Sequence, residues 1–259
     1  MDIASIGGIA VAILGILAGM MIEGGSISQI TQPTAALIVV GGTMGAVMLQ
    51  FPLGIFTAAL QRIARIFFSG ASDGEAVLTQ LVQFANKARK SGIVSLDQDL
   101  GAVSDPFLKQ ALMLAIDGTE PNEVRKIMQM EIDNKAEMEE KIPQVFEAAG
   151  GYSPTVGIIG AVLGLIQVMQ HLDNIQEVGR GIAVAFVATI YGVALANLVF
   201  LPAAGKLKIR HREDQMIKEM MLEGVVSILE GMNPRMMETK LRTFLLEDKS
   251  GARTAEVAA

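Results

Sequence analysis

The sequence predicts an all-α membrane protein with four transmembrane helices and a helical cytoplasmic domain. Of the 259 residues, 51% are hydrophobic and only 19% are charged, against about 25% charged in a typical soluble domain. Four long stretches contain no charged residue, and a bilayer core of about 30 Å requires about 20 helical residues. The predicted spans are residues 3–22, 34–51, 154–171 and 181–203.

The positions of the cations predict the topology. Ten of the 21 Lys and Arg residues lie in 62–141 and ten in 206–253, so only Arg180 lies elsewhere. Because Lys and Arg concentrate on the cytoplasmic side, we expect both stretches and both termini to be cytoplasmic. The predicted regions are a transmembrane hairpin at 1–51, a cytoplasmic helical domain at 52–150, a second transmembrane hairpin at 151–205, and cytoplasmic C-terminal helices with a tail at 206–259.

Capping residues predict where the first cytoplasmic helices begin and end. A helix over 75–90 is expected to stop at Ser91-Gly92, since Gly commonly follows a helix end. The run Ser95–Gln98 resembles a capping box that opens another short helix. The sequence therefore predicts a turn with one helix before it and one helix after it.

The remaining cytoplasmic helices have similar signals. Asp105-Pro106 predicts a helix ending near Gly118, because proline is tolerated at the first helical position. A long helix is expected from about Pro121 to Ala149, continuous with the third span. The tail is expected to form one helix near 206–230 and a second, opened by Asn233-Pro234, that ends by about 247.

Small residues recur four apart in each predicted span. Such strips allow helix backbones to approach closely. We expect them to seal contacts between identical subunits or with a partner helix. The strips are Gly15/Gly19, Gly41/Gly45, Gly160/Gly164 and Ala188/Gly192/Ala196.

The composition excludes several classes of function. The chain has no Cys and only two His, which excludes thiol chemistry and a His-rich metal site. It contains neither a phosphate-binding loop nor an HExxH motif, and its net charge of −6 gives no overall bias toward nucleic acid. We therefore expect no enzyme activity, no cofactor, no bound metal and no nucleic-acid partner.

The predicted spans contain no Asp, Glu, Lys or Arg. Ion carriers and proton relays usually require an ionisable group inside the membrane. If this protein moves ions, the titrating carboxylate is expected to come from another chain. What the spans and their ends contribute are small polar groups, notably Ser153, Thr155, Thr189, Tyr191 and Asn197.

Two features have a structural and a functional interpretation. Pro154 and Pro202 bracket the second hairpin, where a proline either begins or ends a helix or acts as a hinge. The second feature is a cluster of charges that either complement helix dipoles or bind a partner: Lys87, Arg89, Lys90, Asp97 and Asp99. Residue types alone do not decide between these interpretations.

Three segments together resemble the MotA/PomA family of flagellar stator subunits. ARKSGIVSLDQDL (88–100) is similar to the family's charged cytoplasmic motif, and YSPTVGIIGAVLGL (152–165) to its third span. ATIYGVALANLVFLP (188–202) resembles the fourth span, with Thr thirteen residues before Pro. One departure is Asp97, where many relatives have Glu.

The resemblance implies a flagellar stator subunit in the bacterial inner membrane. Five copies would surround the spans of two MotB-type partner chains, each of which carries the ion-binding Asp and a peptidoglycan-binding domain. Arg89, Lys90 and Asp97 would face the rotor switch protein FliG. Pro154 and Pro202 would couple ion flow to movement, so that the complex turns the rotor.

The family match also bears on the transported ion. Sodium-type relatives have Thr at the place of Ala161, whereas Thr189 is retained beside the ion site. Ala161 offers no hydroxyl ligand, so we expect H⁺ to be the transported ion. Thr189 either orients water or the carboxylate, or only bonds back to its own helix.

Two alternative functions are a proton-driven envelope energiser of the ExbB/TolQ type and a non-conducting membrane scaffold. ExbB/TolQ proteins typically have one span before the cytoplasmic domain. The uncharged stretch from Gly24 to Gln61, after a complete first span, therefore favours the stator.

Overall fold

The computed structural model describes the backbone of residues 3–68 and 73–257 and the side chains of residues 4–63 and 73–245. Within these ranges the chain is helical and has no strand. The α-helices are α1 (Ile3–Ile22), α2 (Pro33–Gln50), α3 (Leu53–Phe68), α4 (Gly74–Ser91), α5 (Pro106–Ile116), α6 (Pro121–Gln170), α7 (Ile175–Ala194), α8 (Leu201–Leu229) and α9 (Pro234–Val257). Ile27–Ile30 and Ile93–Ala102 are 3₁₀ helices, and Leu195–Phe200 is a π-helical segment.

Four helical stretches are long and apolar enough to cross a bilayer. Two of them are Ala4–Ile22 and Pro33–Gln50. The others lie within the continuous helical runs Pro121–Gln170 and Ile175–Leu229. The all-α fold class and the four predicted spans are confirmed.

The helices form two compact units. The span unit comprises Met1–Gly70 and Glu140–Lys208, and the charged unit comprises Ala71–Glu139 and Ile209–Ala259. Both α6 and α8 contribute residues to each unit. The predicted regions assign residues to membrane or cytoplasm rather than to packing units, so those boundaries stay predictions.

In the span unit, the backbones of α6 and α7 are almost in contact. A Cβ atom added at Gly164 would lie 2.7 Å from the carbonyl oxygen of Gly181. One added at Gly192 would lie 2.6 Å from the carbonyl oxygen of Ser153. Only glycine fits at such distances, because any side chain would force the two backbones apart.

This packing corrects the expected role of the Gly160/Gly164 strip. A Cβ atom at Gly160 would meet the Cβ of Ala188 at 2.7 Å, so the strip seals α6 against α7 of the same chain and not a contact between subunits. The four-residue spacing indicates a small face but not which helix meets it. By contrast, Gly15, Gly19, Gly41 and Gly45 have no atom within 4 Å of an added Cβ.

The two tyrosines of the chain hold opposite ends of α2. The hydroxyl of Tyr191 on α7 donates to the Ile30 carbonyl at 2.5 Å and accepts from the Gln32 backbone N–H at 3.3 Å. The hydroxyl of Tyr152 on α6 donates to the side-chain oxygen of Gln50 at 2.9 Å. Helix α2 is therefore attached to both helices of the second hairpin.

The fourth span continues into the tail without a break. The backbone N–H of Leu201 donates to the carbonyl of Ala196, five residues earlier. This π turn shifts the hydrogen-bond register just before Pro202, which has no N–H to donate. The tail helix predicted near 206–230 is α8, which ends at Leu229 but begins earlier, at Leu201, directly after the π segment.

The charged unit has its own apolar core, formed by α4, α5, α8, α9, the first part of α6 and the 3₁₀ helix Ile93–Ala102. Its fully buried members include Leu81 of α4, Leu96 of the 3₁₀ helix, Leu112 of α5 and Met220 of α8. These contacts bring the 3₁₀ helix against the core, next to the end of α4.

Most boundaries predicted for the charged unit are confirmed. α4 ends at Ser91, and Pro106 is the first residue of α5, where the Asp105 carboxylate accepts from the N–H groups of Phe107 and Leu108. The prediction of a capping box at Ser95 is wrong, because the 3₁₀ helix begins at Ile93 and Ser95 Oγ donates to the Gly92 carbonyl.

The long helix α6 runs from Pro121 through the third span, as predicted. The C-terminal helix begins at Pro234 as expected but extends to Val257, ten residues beyond the predicted end. The sequence after 247 has no proline, and its one glycine lies inside the helix, so no strong stop signal ends it there.

The α6–α7 contact predicts different effects of two glycine substitutions in α6. Gly164→Ala should lower the free energy of unfolding by about 1–3 kcal/mol, because the backbone of α7 must move. Gly151→Ala is the matched control: an added Cβ there meets nothing within 4 Å, and alanine is the better helix former by about 1 kcal/mol. Thermal unfolding of the full chain in detergent measures both, and equal shifts would contradict the packing described.

Candidate functional site

The residues of the predicted rotor-facing motif lie at one turn of the charged unit. Arg89 and Lys90 are in the last turn of α4, and Asp97 is in the 3₁₀ helix that follows. All three side chains are exposed. Within the described part of the chain, none of them forms an ion pair, so these charges are available to a partner.

The local backbone explains this exposure. Gly92 ends α4 with φ +80°, a conformation that favours glycine, and its N–H donates to the Ala88 carbonyl at 2.9 Å. The chain then reverses into the 3₁₀ helix, which Leu96 anchors by complete burial. Ser95 Oγ donates to the Gly92 carbonyl at 2.6 Å and closes the turn.

A neighbouring pair of charges behaves differently. Lys87 Nζ lies 2.7 Å from Asp99 Oδ2, and both side chains are about one-third exposed. The sequence places both residues near the motif but does not indicate that they pair. The turn thus combines one satisfied ion pair with three free charges.

The four predicted coupling residues lie in the second hairpin. Pro154 is adjacent to Gly192, since an added Cβ at Gly192 would lie 3.2 Å from the Cα of Pro154. One at Gly157 would lie 3.4 Å from the Cα of Thr189. Pro154 and Thr189 therefore border the same close contact between α6 and α7, and Ala161 follows Gly157 by four residues, about one turn of α6.

Pro202 lies elsewhere along the same pair of helices. The residue before it, Leu201, packs on Gly150, four residues before Pro154. Pro202 itself is exposed and follows the π segment. The structure thus groups Pro154, Ala161 and Thr189 near one contact and leaves Pro202 beyond its end.

Hydroxyl and amide groups of the hairpin are mostly occupied by local bonds. Thr189 Oγ1 donates to the Ala185 carbonyl at 3.2 Å, which supports the interpretation that it bonds back to its own helix. Thr155 and Asn197 donate to Tyr152 and Val193 in the same way. Ser153 is the exception among the five small polar groups, because its buried hydroxyl has no partner in the described part of the chain.

A second charged cluster joins three helices of the charged unit. Glu223 of α8 is bound by Arg125 of α6, at 2.7 Å, and by Lys240 of α9. The Glu223 side chain is only 14% exposed. The hydrogen bond from Arg125, reinforced by that from Lys240, lowers the pKa of Glu223, although burial opposes this shift.

No group of three or more metal-binding side chains occurs among the residues described.

Comparisons with known proteins agree along nearly the whole chain. Residues 100–220 match the family described as the MotA/TolQ/ExbB proton channel family, and residues 6–92 match the N-terminal region of motility protein A. Motility protein A of Bacillus subtilis is 34% identical, covering 95% of this chain and 91% of that protein. Chemotaxis protein PomA of Vibrio alginolyticus is 32% identical, covering 96% of this chain and 97% of that protein.

Two solved MotAB structures have the same fold. The MotAB structure from C. jejuni superposes with a TM-score of 0.90 at 30% identity, covering 94% of this chain and 96% of that one. The flagellar MotAB stator complex from Bacillus subtilis gives a TM-score of 0.86 at 34% identity, again covering 94% of this chain and 96% of that one.

The Glu223 cluster predicts a pH-dependent stability. Glu223→Gln should lower the free energy of unfolding by about 1–2 kcal/mol at neutral pH, because Arg125 and Lys240 would lose their shared counter-charge. Since folding lowers the pKa of Glu223, this stabilisation is complete above the ordinary glutamate pKa of about 4.3 and is lost as the pH falls through the lowered value.

The matched control is Glu131→Gln, a half-buried glutamate of α6 with no ion pair in the described part of the chain. It should change stability by less than about 0.5 kcal/mol. Thermal unfolding of the full chain in detergent, at neutral and at acidic pH, provides the measurement. A Glu223→Gln deficit that persists unchanged in acid would contradict the assignment.

Proposed function

Because this chain belongs to the MotA/TolQ/ExbB proton channel family, we propose that it is a flagellar stator subunit. With a MotB-type partner it forms a proton-conducting channel and converts ion flow into torque on the rotor. It is a motor component and not an enzyme. The observation that carries this function is the likeness to MotAB stator subunits over nearly the whole chain, including both hairpins.

The N-terminal hairpin favours the stator over an ExbB/TolQ-type energiser. Both kinds of protein share the family match over the third and fourth spans. The match over residues 6–92 is to motility protein A, and it includes the first two spans, α1 and α2. Nothing comparable supports a non-conducting scaffold.

The subunit is part of an oligomeric membrane complex. We propose that it is a pentamer around the partner's spans, with lipid on the outside. Support comes from apolar surface that the single chain leaves uncovered: Val11 and Leu14 of α1 and Phe186 of α7 are each more than 60% exposed. Helix neighbours or lipid must cover such side chains in the membrane.

We place the complex in the bacterial inner membrane with both termini in the cytoplasm. The distribution of Lys and Arg supports this orientation, and so does the even number of spans. The charged unit is then cytoplasmic and accessible to the rotor. FliG is the proposed rotor partner of Arg89, Lys90 and Asp97, whose free charges support this contact.

We propose that Pro154, Ala161, Thr189 and Pro202 form the coupling region beside the ion path. Pro154 and Pro202 are adapted to movement, since each removes one backbone hydrogen bond from a long helix. Ala161 has no hydroxyl, and Thr189 donates its own to Ala185. A dehydrated sodium ion would find few oxygen ligands here, so the transported ion is H⁺.

The choice of ion is tested by motor speed. With this subunit and its native partner driving the motor, speed should follow the proton gradient and stay constant when external potassium replaces sodium at fixed pH and membrane potential. Ala161 supplies no ligand that would make sodium necessary. A motor that stops in the absence of sodium would refute proton coupling.

The rotor contact is tested by charge reversal. Arg89→Glu and Asp97→Lys should each impair swimming, because a charged rotor surface discriminates the sign of the group it meets. Membrane insertion should be unchanged, since both residues are exposed. A helix-dipole role would instead cost only about 0.3–1 kcal/mol of stability.

The matched control is Arg235→Glu, an exposed cation of the same unit without an ion pair among the described residues. Swimming speed at equal expression should be normal for this variant. Normal swimming of both the Arg89 and the Asp97 variants would remove the rotor role.

A further inference from the structure

The five charges between residues 87 and 99 fall into two sets. Lys87 and Asp99 satisfy each other across a 2.7 Å contact. Arg89, Lys90 and Asp97 are exposed, and none of them has an ion-pair partner in the described part of the chain. The turn therefore presents two free cations and one free anion, with a closed ion pair beside them.

The 3₁₀ geometry explains why Asp97 and Asp99 differ. Residues three apart in a 3₁₀ helix lie on the same side. Leu96, which is fully buried, shares its side with Asp99, so Asp99 points toward α4. Val94 shares its side with Asp97 and is 67% exposed. One face of the segment thus packs on the unit, and the next presents Asp97 outward.

The ion pair joins the two segments on either side of the turn, α4 and the 3₁₀ helix. Gly92 reverses the chain, and Lys87 and Asp99 lie five residues before and seven residues after it. Leu96 is fully buried, and Ile93 and Leu100 of the same 3₁₀ helix pack beside it on the core. These apolar contacts hold one face of the segment but leave small rotations about its axis possible. A contact from Lys87 of α4 to Asp99 removes that freedom.

The pair contributes little to stability. Both side chains are about one-third exposed, and exposed ion pairs change an equilibrium by no more than about fivefold. The charged unit is held together by its apolar core, to which neither Lys87 nor Asp99 belongs. The effect of the pair is therefore on the direction in which neighbouring charges point.

We propose that Lys87 and Asp99 are positioning residues of the rotor interface, which hold the 3₁₀ helix so that Asp97 faces outward at a fixed distance from Arg89 and Lys90. This inference rests on the proposed stator function. Neither Lys87 nor Asp99 needs to contact the rotor in this role. The role depends on the pairing of the two charges and not on which residue carries the positive one.

The test exchanges the two charges. Lys87→Glu and Asp99→Lys are compared singly and together in the full chain with its native partner. Torque per stator unit is read from the step height in a bead assay, and assembly from co-purification with the partner. Arg89→Glu and Asp97→Lys, singly and together, are the matched set of free charges.

We expect each single reversal at 87 or 99 to lower step height at least about threefold, because the rotor contact depends on charge placement. Assembly should be unchanged, and the double exchange should restore step height. The double reversal of Arg89 and Asp97 should not restore step height, because each of these groups is expected to bind the rotor and not the other.

Each other outcome contradicts the inference in its own way. Normal torque in the single 87 and 99 variants, with impaired 89 and 97 variants, overturns the positioning role and leaves the rotor contact standing. Failure of the double exchange to restore torque also overturns it. Loss of the complex in the single variants makes the pair a folding contact instead. Normal torque in the 89 and 97 variants overturns the rotor contact itself.

Discussion

A charged side chain at the centre of a bilayer costs about 3 kcal/mol on the lowest scales, and the rest of this structure depends on how the chain avoids that cost. Its four spans contain no Asp, Glu, Lys or Arg. The chain therefore cannot carry a proton through the membrane on a carboxylate of its own. If the chain takes part in proton conduction as proposed, the ion-binding carboxylate must therefore belong to a partner.

Uncharged spans must be held together by other means than ion pairs. Here the contact between α6 and α7 depends on glycines that let backbone meet backbone, at distances where a Cβ would not fit. Two tyrosine hydroxyls then hold α2 to the same hairpin. Pro154 and Thr189 border this contact.

Local signals predicted the parts of the fold that depend on nearby residues. Asp105-Pro106 begins α5, and Gly92 ends α4, because capping involves only a few neighbouring positions. The start of α8 at Leu201 was not predictable in this way, since it depends on the π turn before Pro202. The partner of the Gly160/Gly164 strip was also missed, because spacing along one helix does not reveal which helix it meets. The charged motif was found by resemblance, whereas the Lys87–Asp99 pair requires a 3₁₀ period that the sequence does not display.

The most direct test of this account measures proton flux into liposomes that contain the purified chain alone or together with its MotB-type partner. If the ion-binding carboxylate comes from the partner, the chain alone should give no flux above that of empty liposomes. The complex should conduct, and replacing the partner's intramembrane Asp by Asn should abolish conduction. Proton flux through this chain alone, or undiminished flux after that replacement, would contradict the claim that the ion-binding carboxylate belongs to the partner.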